Sequence, residues 1–114
     1  MTRKLIFTVT AVFFALGTVA ASFAAEMGNE RKGKYTYKKV YKACHERGGV
    51  ESPRPALNPS DKTQAQWDRM FEKKDFEDFG CQEEWSNLSE GDINDIYAYL
   101  HAHAADSPSP AKCQ

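Results

Sequence analysis

Three stretches of the chain place apolar residues at the spacing of an α-helix. The first carries them at i, i+3, i+4 and i+7: Tyr37, Val40, Tyr41 and Cys44. That spacing puts all four side chains on one helical face. Lysines fill the opposite face, and the Gly48-Gly49 pair follows directly. Because glycine commonly ends helices, we predict a helix that stops at this pair.

A second helical stretch begins after Pro59, with Ser60 or Asp61 as its predicted N-cap. Its apolar face holds Trp67, Met70 and Phe71, and Phe76 and Phe79 extend the pattern. Gly80 then interrupts it. The spacing therefore predicts one helix over Ser60–Phe79.

The third stretch carries the clearest helix-start signals. Ser89 is the predicted N-cap, and Asp92 three residues later forms a variant of the capping box. Leu88 and Ile93 occupy the hydrophobic-staple positions. The apolar face runs through Ile93, Ile96, Tyr97 and Leu100. Since no stretch predicts paired strands, we expect an all-α fold with three or more helices.

Long loops make the packed part of this domain small. Gly48 to Ser60 contains three prolines, and the tail Ser107-Pro108-Ser109-Pro110 is also non-helical. A chain with so little packed structure benefits from a covalent staple or a large bound cofactor.

The first residues resemble an export signal. Arg3 and Lys4 precede an apolar run from Leu5 to Ala21, and small residues surround a cleavage position after Ala24. We therefore expect a signal peptide over 1–24, a mature domain over 25–114 and a periplasmic location, where disulfides persist. An uncleaved membrane anchor is the alternative, because the run barely reaches the length of a span. If the signal peptide is cleaved, we expect no membrane span in the mature chain.

Charge is segregated along a chain whose formal net charge is only −1. Residues 31–47 hold seven Lys or Arg against one Glu, and residues 72–95 hold nine acids against two Lys. The small net charge gives no case for nucleic-acid binding. The two regions are either solvated faces that attract each other or a dipole that steers an acidic partner to the Lys-rich first helix.

Candidate chemistry centres on Cys44-His45. A covalent haem site reads Cys-x-x-Cys-His, and here Tyr41 stands where the first Cys would be. The alternative is that Cys44 is a disulfide partner and His45 an ordinary surface imidazole.

Both ends of the domain resemble the mono-haem class I cytochromes c. The segment from Gly33 to His45 is similar to that family's N-terminal helix, and Leu88 to Leu100 is similar to its C-terminal helix. The resemblance implies that these two helices pack together, with haem beneath them. It implies an iron-bearing haem c held by Cys44 through a single thioether, with His45 as an axial ligand. Within the domain over 25–114, residues 107–114 are expected to form an extended tail.

The resemblance leaves the second axial ligand open. The family usually supplies a Met from the loop before the last helix, but Phe79 to Asn87 contains no Met and no His. Met70 is the preferred distal candidate, although packing in the core is the simpler role for it. His101, His103 or a vacant position are the alternatives.

The three cysteines allow one bridge and one odd thiol. If Cys44 carries haem, Cys81 and Cys113 are left to pair, and their bridge would hold the tail. The two pairings that include Cys44 remain the alternatives.

The resemblance therefore implies an exported electron-transfer protein rather than an enzyme, with redox proteins, acidic ones among them, as partners. The alternative is a haem-free, disulfide-stapled periplasmic binding or accessory module with the same fold.

Overall fold

The computed structural model describes residues 27–112, which fold into four α-helices joined by loops and two 3₁₀ turns. The helices are α1, Glu30–Glu46; α2, Gln64–Lys73; α3, Gln82–Ser86; and α4, Glu90–Ala102. The 3₁₀ turns cover Pro59–Asp61 and Glu77–Phe79. With no strand in the described residues, the predicted all-α class is confirmed. The predicted signal peptide over 1–24 lies outside the described residues.

Helix α1 crosses α4 at close range, which confirms the predicted packing of the first and last helices. Gly33 makes the crossing possible, because a Cβ built there would lie 1.9 Å from the carbonyl oxygen of Asp95. The Asp95 side chain also accepts a hydrogen bond from the backbone N–H of Asn29, at 2.7 Å. The start of α1 is thereby fastened to the middle of α4. Among residues 27–112, no helix is both long and apolar enough to cross a membrane.

The middle of the chain differs from the single helix predicted over Ser60–Phe79. Helix α2 is shorter, because Thr63 caps its start and Lys74 ends it in a left-handed conformation at φ 54°. The chain then turns, and Glu77–Phe79 forms a separate 3₁₀ turn. The turn brings the Phe76 ring back onto Phe71, with 5.1 Å between ring centroids. One continuous helix was therefore wrong, although its aromatic residues do meet in one core.

Aromatic rings fill the space between the helices. The buried rings are Tyr37, Tyr41, Trp67, Phe71, Phe79, Trp85 and Tyr97. The closest pair is Phe79 on Trp85, stacked with centroids 4.2 Å apart. Ile96 and Leu100 of α4 complete this core without any exposed surface. Such rings bury large apolar areas, so a small domain gains a dense core from few residues.

The tail after α4 is held by hydrogen bonds. Asp106 accepts from the backbone N–H of Gln64 at 2.8 Å, and the Ala105 N–H donates to the Lys62 carbonyl at 3.0 Å. The His103 ring nitrogen Nδ1 lies 2.8 Å from the Ser109 carbonyl oxygen. These hydrogen bonds anchor the described part of the tail to α2 and α4.

Candidate functional site

A disulfide joins α1 to the segment before α3. Cys44 lies near the end of α1 and bonds Cys81, with their Cα atoms 5.9 Å apart. Cys44 has 0% of its surface exposed and Cys81 8%. This bridge corrects the expected pairing of Cys81 with Cys113, which itself lies outside the described residues. Cys81 pairs with Cys44 because the fold places it beside the end of α1, and the described part of the tail is held by hydrogen bonds.

Tyr41, one helical turn before Cys44, fastens the same segment by a different means. Its hydroxyl donates to the backbone carbonyl of Phe79 at 2.7 Å, inside the core. Burial raises the pKa of Tyr41 to about 12. Its ring also packs edge-on against Tyr37 at 5.4 Å. The residue at the position of the missing first Cys is therefore part of the core.

An ion pair lies beside the disulfide and joins the same two elements. The Arg47 guanidinium donates to both carboxylate oxygens of Glu84, at 2.6 and 2.9 Å. This charge-assisted pair raises the pKa of Arg47 and lowers the pKa of Glu84. Nη2 of Arg47 also lies 3.8 Å from Sγ of Cys44. A positive charge is therefore held next to one sulfur of the bridge.

The residues do not fit a haem attached through Cys44. Its sulfur is bonded to Cys81, so it cannot also form a thioether. The interior beneath α1 and α4 is filled by packed rings such as Phe79 and Trp85. Since Tyr41 is also engaged in the core, neither position of the attachment motif offers a free group. Haem binding stays a prediction.

The same two sulfurs and Glu84 form a group of candidate metal ligands, with their ligand atoms within 4.8 Å of one another. Both sulfurs are bonded to each other, and Arg47 already neutralises the carboxylate. A guanidinium this close also repels a cation. The arrangement therefore favours a structural role over metal binding.

His45 is exposed, and its Nδ1 lies 3.1 Å from the carbonyl oxygen of Val50. That contact fixes the ring and leaves Nε2 outside the hydrogen bond. A histidine that binds a metal commonly donates its other ring nitrogen to a carbonyl in this way. The contact is thus compatible with a ligand and with a simple loop anchor.

The candidates for the second iron ligand do not gather around His45. Met70 is half-buried and packs against the aromatic core from α2. His101 lies 3.4 Å from Asp68 of α2, and His103 contacts the tail at Ser109. Both histidines therefore hold neighbouring segments, a role that the sequence pattern did not indicate.

A groove of about 840 Å³ lies beside α1, and His45 is on its wall. One wall is the outer face of α1; the other is the proline-containing loop over 53–59, together with Tyr99 of α4. The Tyr37 hydroxyl fastens this loop by donating to the Leu57 carbonyl at 2.6 Å. Prolines restrict the backbone of the loop, so the wall is largely preformed.

The groove is strongly cationic. Its lining includes Lys38, Lys39, Lys42 and Arg54, against Glu46 alone among acidic residues. Within the described part of the chain, none of these four cations forms an ion pair. Tyr35, 69% exposed, adds an accessible aromatic ring at the rim. The Lys-rich face was predicted, whereas Arg54 was missed because it comes from a loop outside α1. The role of Tyr35 was missed because its place at the groove depends on that loop.

Comparisons with protein-family models, with curated proteins and with solved structures each found no match. The resemblance to class I cytochromes c therefore remains an expectation from the terminal helices alone.

Proposed function

We propose that this protein is an exported binding module, stapled by a disulfide and free of covalent haem, that holds an acidic segment of a partner protein in its cationic groove. The observation that carries the proposal is the preformed groove, whose four cations form no ion pair among residues 27–112. The closed aromatic core supports the proposal that the protein is free of covalent haem, because side chains fill the interior without a cofactor.

Electrostatics favour an anionic protein surface as the ligand. Lys38 and Lys42 lie one helical turn apart on α1, and Arg54 faces them from the loop. Carboxylates spaced along an extended peptide can meet such a row, with the tyrosine ring covering the peptide's apolar atoms. Like charges brought close repel, so binding also relieves repulsion among the lysines. Such contacts steer association and weaken with salt.

Titration of the full chain with hexaglutamate, followed by calorimetry at low and high salt, tests this proposal. The variant K38E/K42E removes two groove cations, each worth roughly 0.2–1 kcal/mol in an exposed pair, and sets two carboxylates against the ligand. We therefore expect binding to weaken by about tenfold. The matched control K32E/K34E makes the same charge change on exposed residues of α1 that do not line the groove. Equal weakening by both variants would show that only net charge matters and would contradict a groove site.

A second candidate function is supported by His45, whose ring is fixed at Val50 and lies on the groove wall. This is the haem-bearing carrier of single electrons, with His45 as axial ligand and an acidic redox partner at the Lys-rich helix. Attachment through Cys44 would require the disulfide to open first. A visible spectrum of protein exported by a host with working cytochrome c maturation separates the two candidates. A colourless protein supports the haem-free module, and a covalent haem spectrum supports the carrier.

A further inference from the structure

The ion pair lies three residues after the disulfide on both of the segments that they join. Arg47, the C-cap of α1, follows Cys44 by three residues, and Glu84 of α3 follows Cys81, which directly precedes α3, by three residues. The covalent bond and the bidentate ion pair therefore join the same two surfaces, one turn apart. The ion pair is therefore a second, non-covalent link between the segments that the disulfide joins.

The two cysteine residues differ in exposure. Cys44 is fully buried, whereas Cys81 keeps 8% of its surface exposed. Gly49 covers Cys44, because a Cβ built on it would lie 2.9 Å from Sγ. Its N–H also donates to the Cys44 carbonyl at 2.8 Å, which fixes that cover. An external reagent therefore meets Cys81 first.

The two sulfurs also differ in charge environment. A thiolate is stabilised by a nearby cation, and Nη2 of Arg47 lies 3.8 Å from Sγ of Cys44. The Glu84 carboxylate, which pairs with Arg47, lies within 4.8 Å of both sulfurs, so Arg47 is the charge that distinguishes Cys44 from Cys81. A stabilised thiolate is the better leaving group in thiol–disulfide exchange. Exposure thus favours Cys81 as the cysteine that is attacked, and the nearby cation favours Cys44 as the leaving thiolate.

We propose that Cys44–Cys81 is an exchangeable disulfide, in which external thiols attack Cys81 and Cys44 is the thiol that leaves and later closes the bond again. The attacking thiolate forms a new S–S bond to Cys81 as the Cys44–Cys81 bond breaks, and Cys44 departs as a thiolate beside Arg47. In the reverse step, the Cys44 thiolate attacks Cys81 and expels the external thiolate. Each step exchanges one S–S bond for another, so no separate oxidant or reductant is consumed.

Trapping on the full chain tests which sulfur is attacked. The protein is treated briefly with reduced glutathione, quenched with iodoacetamide and mapped by peptide mass spectrometry. We expect glutathione on Cys81 and the alkyl group on Cys44. Glutathione mainly on Cys44 would overturn the assignment. The same experiment on C113S removes the third thiol, and loss of the Cys81 adduct there would overturn the role given to external thiols.

The rate of closure tests the role of Arg47 as a positioning residue. The glutathione adduct of Cys81 is isolated, and release of glutathione is followed in the native chain, R47A and R47K. Without the guanidinium, the Cys44 thiolate loses the cation beside it, so less thiolate is present at neutral pH, while each thiolate that forms is the stronger nucleophile. We therefore expect R47A to close about threefold more slowly at pH 7 and at least as fast as the native chain above pH ~10. R47K should remain close to the native rate. A slowing of R47A that is equal at every pH, or no slowing, would refute the electrostatic role.

Discussion

Replacement of Tyr41 by Phe isolates one buried hydrogen bond from the ring that makes it. The ring keeps its place against Tyr37, but the Phe79 carbonyl loses the donor that lies 2.7 Å away. That oxygen accepts no other hydrogen bond within the described residues. Leaving a buried acceptor unpaired costs about 1–3 kcal/mol. We therefore expect Y41F to lower the free energy of unfolding by about 2 kcal/mol.

Thermal unfolding followed by far-ultraviolet circular dichroism measures this change. For a domain of this size, about 2 kcal/mol lowers Tm by roughly 8–16 °C. The matched control is Y35F, which removes a hydroxyl from a side chain that is 69% exposed and should leave Tm nearly unchanged. Equal Tm values for Y41F and the native chain would refute the claim that this hydrogen bond holds the segment before Cys81.

Three further predictions follow from the same contacts. Reduction of the Cys44–Cys81 bridge, which spans a sequence separation of 37, should destabilise the domain by up to about 4 kcal/mol in urea unfolding, and an unchanged midpoint would contradict a formed bridge. Gly33→Ala should cost about 1–3 kcal/mol by chemical denaturation because its Cβ meets the Asp95 carbonyl, whereas the exposed Gly91→Ala, with no contact closer than 3.8 Å, should be neutral or slightly stabilising. The free energy of unfolding should fall as pH rises from about 10 to 12, because Tyr41 has a pKa of about 12 in the folded chain and about 10 in the unfolded chain. The loss approaches about 3 kcal/mol. If the unfolding free energy of Y41F falls as steeply over this pH range, the prediction is contradicted.

The sequence pattern was sufficient for the two helices that cross. Helix α1 carries its buried residues at helical spacing, and Ser89 caps α4 as predicted, with Asp92 completing the box. These elements are specified locally, by periodicity and by side chains that bond their own backbone. Such a pattern predicts a helix without any knowledge of the elements that pack against it.

Features that depend on long-range contacts could not be predicted in the same way. Phe76 and Phe79 continue the apolar pattern after Phe71 and pack against it in the core. One long helix and a short helix followed by a turn could both bury these rings, so the pattern alone does not distinguish the two structures. Similarly, cysteine counting cannot choose between partners, because the pairing depends on where the fold places Cys81. The groove also joins α1 to a loop and to Tyr99, which lie far apart in the sequence.

The Cys44–Cys81 bond also makes a closed covalent ring of the chain between them. The ring encloses the whole proline-containing wall of the groove and all of α2. A protease that cuts once within the exposed stretch over 51–54 would therefore leave two fragments still joined through sulfur. One fragment would carry α1 and the other α4, and their crossing at Gly33 would hold them in register. A single cut in the exposed stretch over 51–54 therefore leaves the two fragments bound to each other.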